Sequence, residues 1–299
     1  MTAPFQARFL AVDDTPLASR FVIHHPARPG PPRALVVYVH PFAEEMNKSR
    51  RMAAMQARAL AEANVAVLQV DLLGCGDSAG DFGDATWSRW VTDVVAAVRW
   101  LVQQHPLAEG GTAPPLWLWG LRAGALLAVE AGAQLASEGT PFHLLFWQPT
   151  TSGKVLLQQF LRLKAAGELM AGQAKAAMDR LRAELAAGRT VEVAGYALAP
   201  ALCQGLEQAT LRPPAAAAPG RLVWLEVTPV ERPELAPAGT HTLNVWREAG
   251  WDVQPLTLRG PAFWQTTEIE DAPALVDATL HALASGASLQ APAAEAAAP

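Results

Sequence analysis

Hydrophobic positions along the chain fall into two kinds of run. ALVVYVH (34–40), VAVLQVDL (65–72), PLWLWG (115–120), HLLFWQP (143–149), RLVWLEVT (221–228) and DVQPLTL (252–258) are short and apolar at both alternations. That is the pattern of strands covered by helices on both faces. Between them, 48–63, 86–104, 123–137 and 272–284 read as helices. In the second, Trp87, Trp90, Val91, Val94, Val98 and Leu101 recur near the 3.6-residue period of a core-facing stripe. The alternation predicts an α/β fold, a mostly parallel central sheet with crossover helices on both faces. FQARFLA and SRFVIHHP, ahead of the first long strand, predict an antiparallel edge hairpin.

From 151 to about 212 the rhythm changes. KVLLQQFLRLKAAGELM and QAKAAMDRLRAELAAG read as amphipathic helices, followed by TVEVAGY and a short helix near 200–208. This predicts a helical cap (151–212) inserted into a core made of 1–150 and 213–285. PPAAAAPG (213–220) reads as a linker and HPLAEGGTAPP (105–115) as an exposed loop. Residues 286–299, within the low-complexity SGASLQAPAAEAAAP, are expected to be a disordered tail.

Composition narrows the classes. Of 299 residues, 51% are hydrophobic and 17% charged, which is globular usage. Lys and Arg total 23 against 28 Asp and Glu, a net charge of −5 without a long basic run, which argues against a nucleic-acid partner. Two cysteines, Cys75 and Cys203, fit neither a disulfide framework nor a metal spacing, so a reducing, cytoplasmic setting is expected. MTAPFQARFL lacks the charged-then-apolar layout of a secretory signal. No apolar run approaches the roughly 20 residues of a membrane span. No cofactor or metal is expected, since no His/Cys/Asp/Glu cluster has ligand spacing. The expected partner is a small-molecule substrate or, if the chain is non-catalytic, an anionic ligand or a partner protein of unknown identity.

Three local motifs carry chemistry. His40-Pro41-Phe42 ends the first long strand, DLLGCGDSAGDF (71–82) follows the second, and LWGLRAGALLA places Gly120-Leu121-Arg122-Ala123-Gly124 between a strand and a helix. In this order they resemble the α/β-hydrolase superfamily: its oxyanion loop, its Asp-x-x-Gly-x-Gly-x-Ser turn, and its Gly-x-Ser-x-Gly nucleophile elbow. More narrowly, HPFAEEMNKSRRM, DLLGCGDSAGDF, LWGLRAGALLA and VAGYALAP are similar to the exosortase A system-associated hydrolase 2 proteins. That resemblance implies an α/β-hydrolase fold with a cap, and a setting of bacterial protein sorting and exopolysaccharide. It implies no particular substrate, because fold analogy does not establish chemistry.

Residue by residue, the serine triad of this superfamily is not there to be filled. The nucleophile seat holds Arg122, whose guanidinium stays protonated and cannot attack. The histidine seat, in LRGPAFWQTTEIED (258–271), offers Phe263 or Trp264. Glu231 or Glu234 could supply the acid, with no histidine to orient. The catalytic set is therefore left unassigned, with His40, Cys75 and Glu231 as the remaining candidates. His40 would shape the oxyanion loop, and Cys75 would gain as a thiolate from Arg122.

An arginine on an elbow still has a use. The amide of Ala123 at a helix start, with an amide from Phe42 or Ala43, forms a hole for negative charge. Arg122 adds a full charge and a bidentate fork. Arg122, Ala123, His40, Phe42, Ala43, Trp147 and Trp264 are thus expected to line a site for an anion, the two tryptophans because they sit at the carboxyl ends of strands. An internal partner for Arg122 is expected among Glu44, Glu45, Asp77 and Glu231; Glu44 and Glu45 are themselves expected to be solvated or to pair with Arg50 or Arg51.

Overall fold

The computed structural model describes residues 5–28, 30–106, 111–167, 174–231 and 234–284; the expected disordered tail lies outside them. The chain runs β1 (Gln6–Ala11), β2 (Ser19–His25), β3 (Ala34–Val39), α1 (Glu44–Glu62), β4 (Val65–Val70), α2 (Trp87–Gln103), β5 (Leu116–Leu121), α3 (Gly124–Ser137) and β6 (His143–Trp147). After β6 come α4 (Gly153–Gly167), α5 (Ala174–Ala186), β7 (Val191–Val193), β8 (Tyr196–Leu198) and α6 (Pro200–Gln208). It closes with β9 (Arg221–Thr228), α7 (Pro237–Glu248), β10 (Asp252–Arg259) and α8 (Pro273–Ala284).

Eight strands form one sheet in the order β1-β2-β4-β3-β5-β6-β9-β10. β1 pairs with β2 and β2 with β4 antiparallel; every other neighbouring pair is parallel. Strand alternation splits the interior into two layers. Leu35, Val37 and Val39 of β3, with Leu118, Phe146 and Trp224, join the layer that holds α2 and α3. Val36 and Tyr38, with Trp119, Trp147 and Leu225, join the layer that holds α1 and α8. The inner strands β3 and β5 are buried along their whole length because each face has its own core. The central sheet with helices on both faces follows the α/β-hydrolase expectation.

α2 matches its predicted stripe, with Trp87, Trp90, Val94, Val98 and Leu101 all buried. α1 starts earlier than its apolar period indicated, because Glu44 and Glu45 form its first turn, where the helix dipole favours acids. α7 was missing from the predicted helices. It buries only Gly239, Leu243 and Trp246, too few to show a period.

Between β6 and β9 the chain leaves the sheet and comes back beside itself. Ser152 and Thr210 form an antiparallel bridge, Gly153 donates to Ala209 O at 3.0 Å, and Leu211 donates to Thr151 O at 3.1 Å. α4, α5, the β7–β8 hairpin and α6 lie between these two ends.

β2 also contains a test of burial. His24 is buried against Trp100 and His105, ring centroids 5.4 and 6.1 Å away, and its Nε2 has no hydrogen-bond partner among the described residues. Burial first, then the fields of His105, Arg8 and His25, push its pKa down to about 4. An unfolded chain takes this proton near pH 6.5. The neutral ring's contribution is therefore complete above pH 6.5 and is lost as pH falls toward 4. Urea titrations should show His24→Leu keeping about 2–3 kcal/mol more of its neutral-pH stability at pH 4.5 than the parent does. Parallel pH profiles for the two proteins would remove His24 as the cause.

Candidate functional site

The centre of the site is the turn between β5 and α3. Strand and helix approach so closely that a Cβ on Gly120 would stand 2.5 Å from the Ala125 backbone, and one on Gly124 2.1 Å from Val39 O. Arg122 sits at the tip with φ 54°, a left-handed conformation that is costly for a side-chain-bearing residue. Its N–H donates to Trp147 O at 3.0 Å, and its carbonyl accepts from Ala125 N at 3.1 Å and Thr150 N at 3.2 Å. Two neighbouring strand ends are bent in the same way: Ala43 after β3 has φ 51° and Gln148 after β6 has φ 42°. The buried amides of Ala123, Phe42 and Ala43 donate to no acceptor among the described residues. Buried amides are rarely left so.

The Arg122 side chain reaches into a cavity of about 420 Å³ between the elbow and α4. Its Nε lies 3.1 and 3.4 Å from the two carboxylate oxygens of Glu45. Its guanidinium carbon stands 5.7 Å from the Trp264 ring centroid, a cation–π contact. Nη1 and Nη2 make no hydrogen bond to a described residue. Burial raises the Glu45 pKa, while the charge of Arg122 and the hydrogen bond from it pull the other way. Beside them, Glu44 accepts from the Tyr196 hydroxyl at 2.9 Å, and Lys48 Nζ donates to Gln265 O at 3.4 Å. Phe42, Leu156, Phe160, Leu163 and Ala194 make the apolar wall.

Of the residues expected from sequence, the structure brings Arg122, Phe42 and Trp264 to this cavity; Ala123 and Ala43, beside them in the chain, are not among its lining residues. Glu45 is the internal partner of Arg122. The expected pairing of Glu44 and Glu45 with Arg50 or Arg51 is replaced: Arg50 binds Asp71 at 3.1 Å and Arg51 binds Asp271 at 2.7 Å.

Trp147 is a correction. It points into the α1/α8 layer, packs edge-on against Trp119 at 4.7 Å, and donates Nε1–H to Thr279 Oγ1 at 2.9 Å. The strand's alternation, not its end, sets this side chain's direction.

His40 lies outside the lining of this cavity, in the loop-shaping position. Its ring is buried, Nδ1–H donates to Pro41 O at 2.8 Å, and Nε2 accepts from Leu72 N at 3.3 Å. Both nitrogens are used on the oxyanion-loop side, and burial pushes the pKa down, so the ring stays neutral.

Cys75 is a second correction. It is buried, and burial, then the carboxylates of Asp71 and Asp93, push its thiol pKa up. That leaves Cys75 a buried, inert thiol and not the thiolate that Arg122 would have favoured. Glu231 lies exposed on the loop after β9, away from the cavity lining. The buried acid of that region is Glu226, which accepts from Trp224 Nε1 at 2.8 Å and Ala236 N at 3.3 Å. It anchors the start of α7.

Sequence reading missed Lys48, Gln159, Phe160, Leu163, Ala194 and Gln265 of the cavity wall. Phe160 and Leu163 carried only the signal of an amphipathic helix, which does not say what the helix faces. Among the described residues, no helix is long and apolar enough to cross a membrane.

Solved structures with the same architecture include an α/β serine hydrolase without lid from Xanthomonas campestris. It is 18% identical, with a TM-score of 0.53 and 95% of each chain covered. Est1E from Butyrivibrio proteoclasticus is 13% identical, with a TM-score of 0.58, covering 93% of this chain and 95% of that one. A hydrolase from Agrobacterium vitis S4, described as putative, is 16% identical, with a TM-score of 0.54 over 94% and 98%. No curated protein matches the sequence. The family model described as "Serine aminopeptidase, S33" matches residues 30–188, more than half of the 299. With its sheet order and elbow, this chain belongs to the S33 family of α/β hydrolases.

Proposed function

We propose that this S33-family chain binds a small anionic ligand at its elbow in place of attacking an ester or peptide bond there. The observation that carries the reading is the guanidinium in the nucleophile's seat, which lines the cavity and hydrogen-bonds the described residues through Nε alone. Unpaired amides at Ala123, Phe42 and Ala43 support it, since together they favour an oxyanion. Trp264 stacks on Arg122 from the segment where this superfamily carries its catalytic histidine. On this reading the triad is degenerate, and residues 151–212 act as a cap that excludes water over the bound anion. The resemblance to the exosortase A system-associated hydrolase 2 proteins supports a role beside bacterial protein sorting and exopolysaccharide production.

The hydrolase reading has one observation in its favour. Glu45 faces the cavity with its pKa raised by burial, as a proton-carrying acid would. One experiment separates the two. Calorimetric titration with small carboxylates should give binding that falls about 10- to 100-fold in Arg122→Ala, the range for a charge-assisted hydrogen-bonded pair. Neither the parent nor Arg122→Ser should react with a fluorophosphonate probe or turn over activated esters. Fluorophosphonate labelling or ester turnover by the parent would overturn the binding reading, as would carboxylate affinity that ignores Arg122.

A further inference from the structure

We infer that the ligand is a monocarboxylate on an apolar body, acyl or aryl, held with its carboxylate end-on against Nη1 and Nη2 of Arg122 and its body against α4. This rests on the elbow being an anion site, and it narrows the anion by three features of the same cavity.

The first is geometry. Glu45 meets Arg122 at Nε alone, so among the described residues the fork formed by the two Nη groups stays open. That fork matches the two coplanar oxygens of a carboxylate. The Trp264 contact restrains the guanidinium before the ligand arrives.

The second is charge. Arg122 and Lys48 face Glu44 and Glu45 across the lining, so the four formal charges cancel. A monoanion adds one negative charge to a balanced site. A phosphate ester adds nearly two, against two carboxylates already in place.

The third is the wall. Phe42 and Phe160 meet edge to face at 5.1 Å, and Leu156 and Leu163 continue the surface along α4. Leu163 is 56% exposed, an apolar side chain left uncovered at the rim. The uncharged polar side chains of the lining are Gln159 and Gln265, too few to satisfy the hydroxyls of a sugar acid on this surface. A volume of about 420 Å³ suits a single small molecule.

The test is calorimetric titration of the intact protein with octanoate, trans-cinnamate, octyl phosphate, glucuronate and 1-octanol. Octanoate or cinnamate should bind about tenfold or more tightly than glucuronate, octyl phosphate or octanol, and which of the two leads identifies the body as acyl or aryl. Leu163→Gln, at an exposed position, should weaken the preferred carboxylate by about three- to tenfold while leaving acetate affinity and melting temperature unchanged. If glucuronate or octyl phosphate binds as tightly through Arg122, the apolar-monocarboxylate assignment is wrong and the anion site stands. If nothing binds in an Arg122-dependent way, both fall.

Discussion

Asp93→Ala is expected to cost about 3–5 kcal/mol of folding stability, because it strands a buried cation. Arg20 and Asp93 are both fully buried, with Arg20 Nε 2.8 Å from Asp93 Oδ2. That contact is Coulombic; the N–H is not aimed at the oxygen, and Arg20 Nη2 and Asp93 Oδ1 have no hydrogen-bond partner among the described residues. Nη1 donates to Leu17 O at 2.5 Å and Ser19 O at 3.1 Å, while Asp93 Oδ2 also accepts from Leu73 N at 2.9 Å. One ion pair thus joins β2, the loop after β4 and α2. Burial raises the Asp93 pKa, while the hydrogen bond and charge of Arg20 and the Leu73 amide pull it down. Removing the carboxylate leaves Arg20 dry and unpaired. The double variant Arg20→Leu/Asp93→Leu should recover most of the loss, since neither charge then pays for leaving water. Urea denaturation of the two variants decides it. A single variant within about 1 kcal/mol of the parent would mean that water or another group reaches Arg20.

That pair was not legible in the sequence, and the reason is general to this fold. Arg20 stands in SRFVIHHP and Asp93 in a helix whose stripe had been read from its tryptophans and valines. Nothing in either pattern brings the two together, since they are 73 positions apart (93 minus 20). The strands were legible because a sheet sandwiched between two helical layers needs apolar residues at every position. The elbow was legible because close approach leaves no room for a Cβ at 120 or 124. Side-chain direction at strand ends was harder. Trp147 and Trp264 both looked like pocket residues, yet alternation sends Trp147 into the α1/α8 layer, and only Trp264, on an irregular loop, meets Arg122. Glu45 was one of four partners expected for Arg122. It won because the first turn of α1 begins immediately after the bend at Ala43, which carries Glu45 to the guanidinium.

Gly124→Ala is expected to be the most damaging change near the site, costing about 3 kcal/mol or more and abolishing carboxylate binding with it. The added methyl would lie 2.1 Å from Val39 O and 2.8 Å from His40 O. Both are backbone atoms, so no side chain can swing aside; α3 must move off the end of β3. That movement separates Ala123 and Arg122 on one side from Phe42 and Ala43 on the other, the two halves of the proposed anion site. Gly83→Ala provides the comparison: its methyl would meet Ala197 Cβ at 3.4 Å and Ala197 O at 3.9 Å, both ordinary contacts, at a position without positive φ. It should fall within about 0.5 kcal/mol of the parent. Thermal and urea unfolding of both variants, with carboxylate titration at a temperature where each is folded, completes the test. If Gly124→Ala is as benign as Gly83→Ala, α3 is not seated on the Val39 carbonyl. The approach that holds Arg122 in its left-handed turn is then wrong. The turn makes this demand on glycine whatever side chain its tip carries, so Arg122→Ser should fold where Gly124→Ala does not.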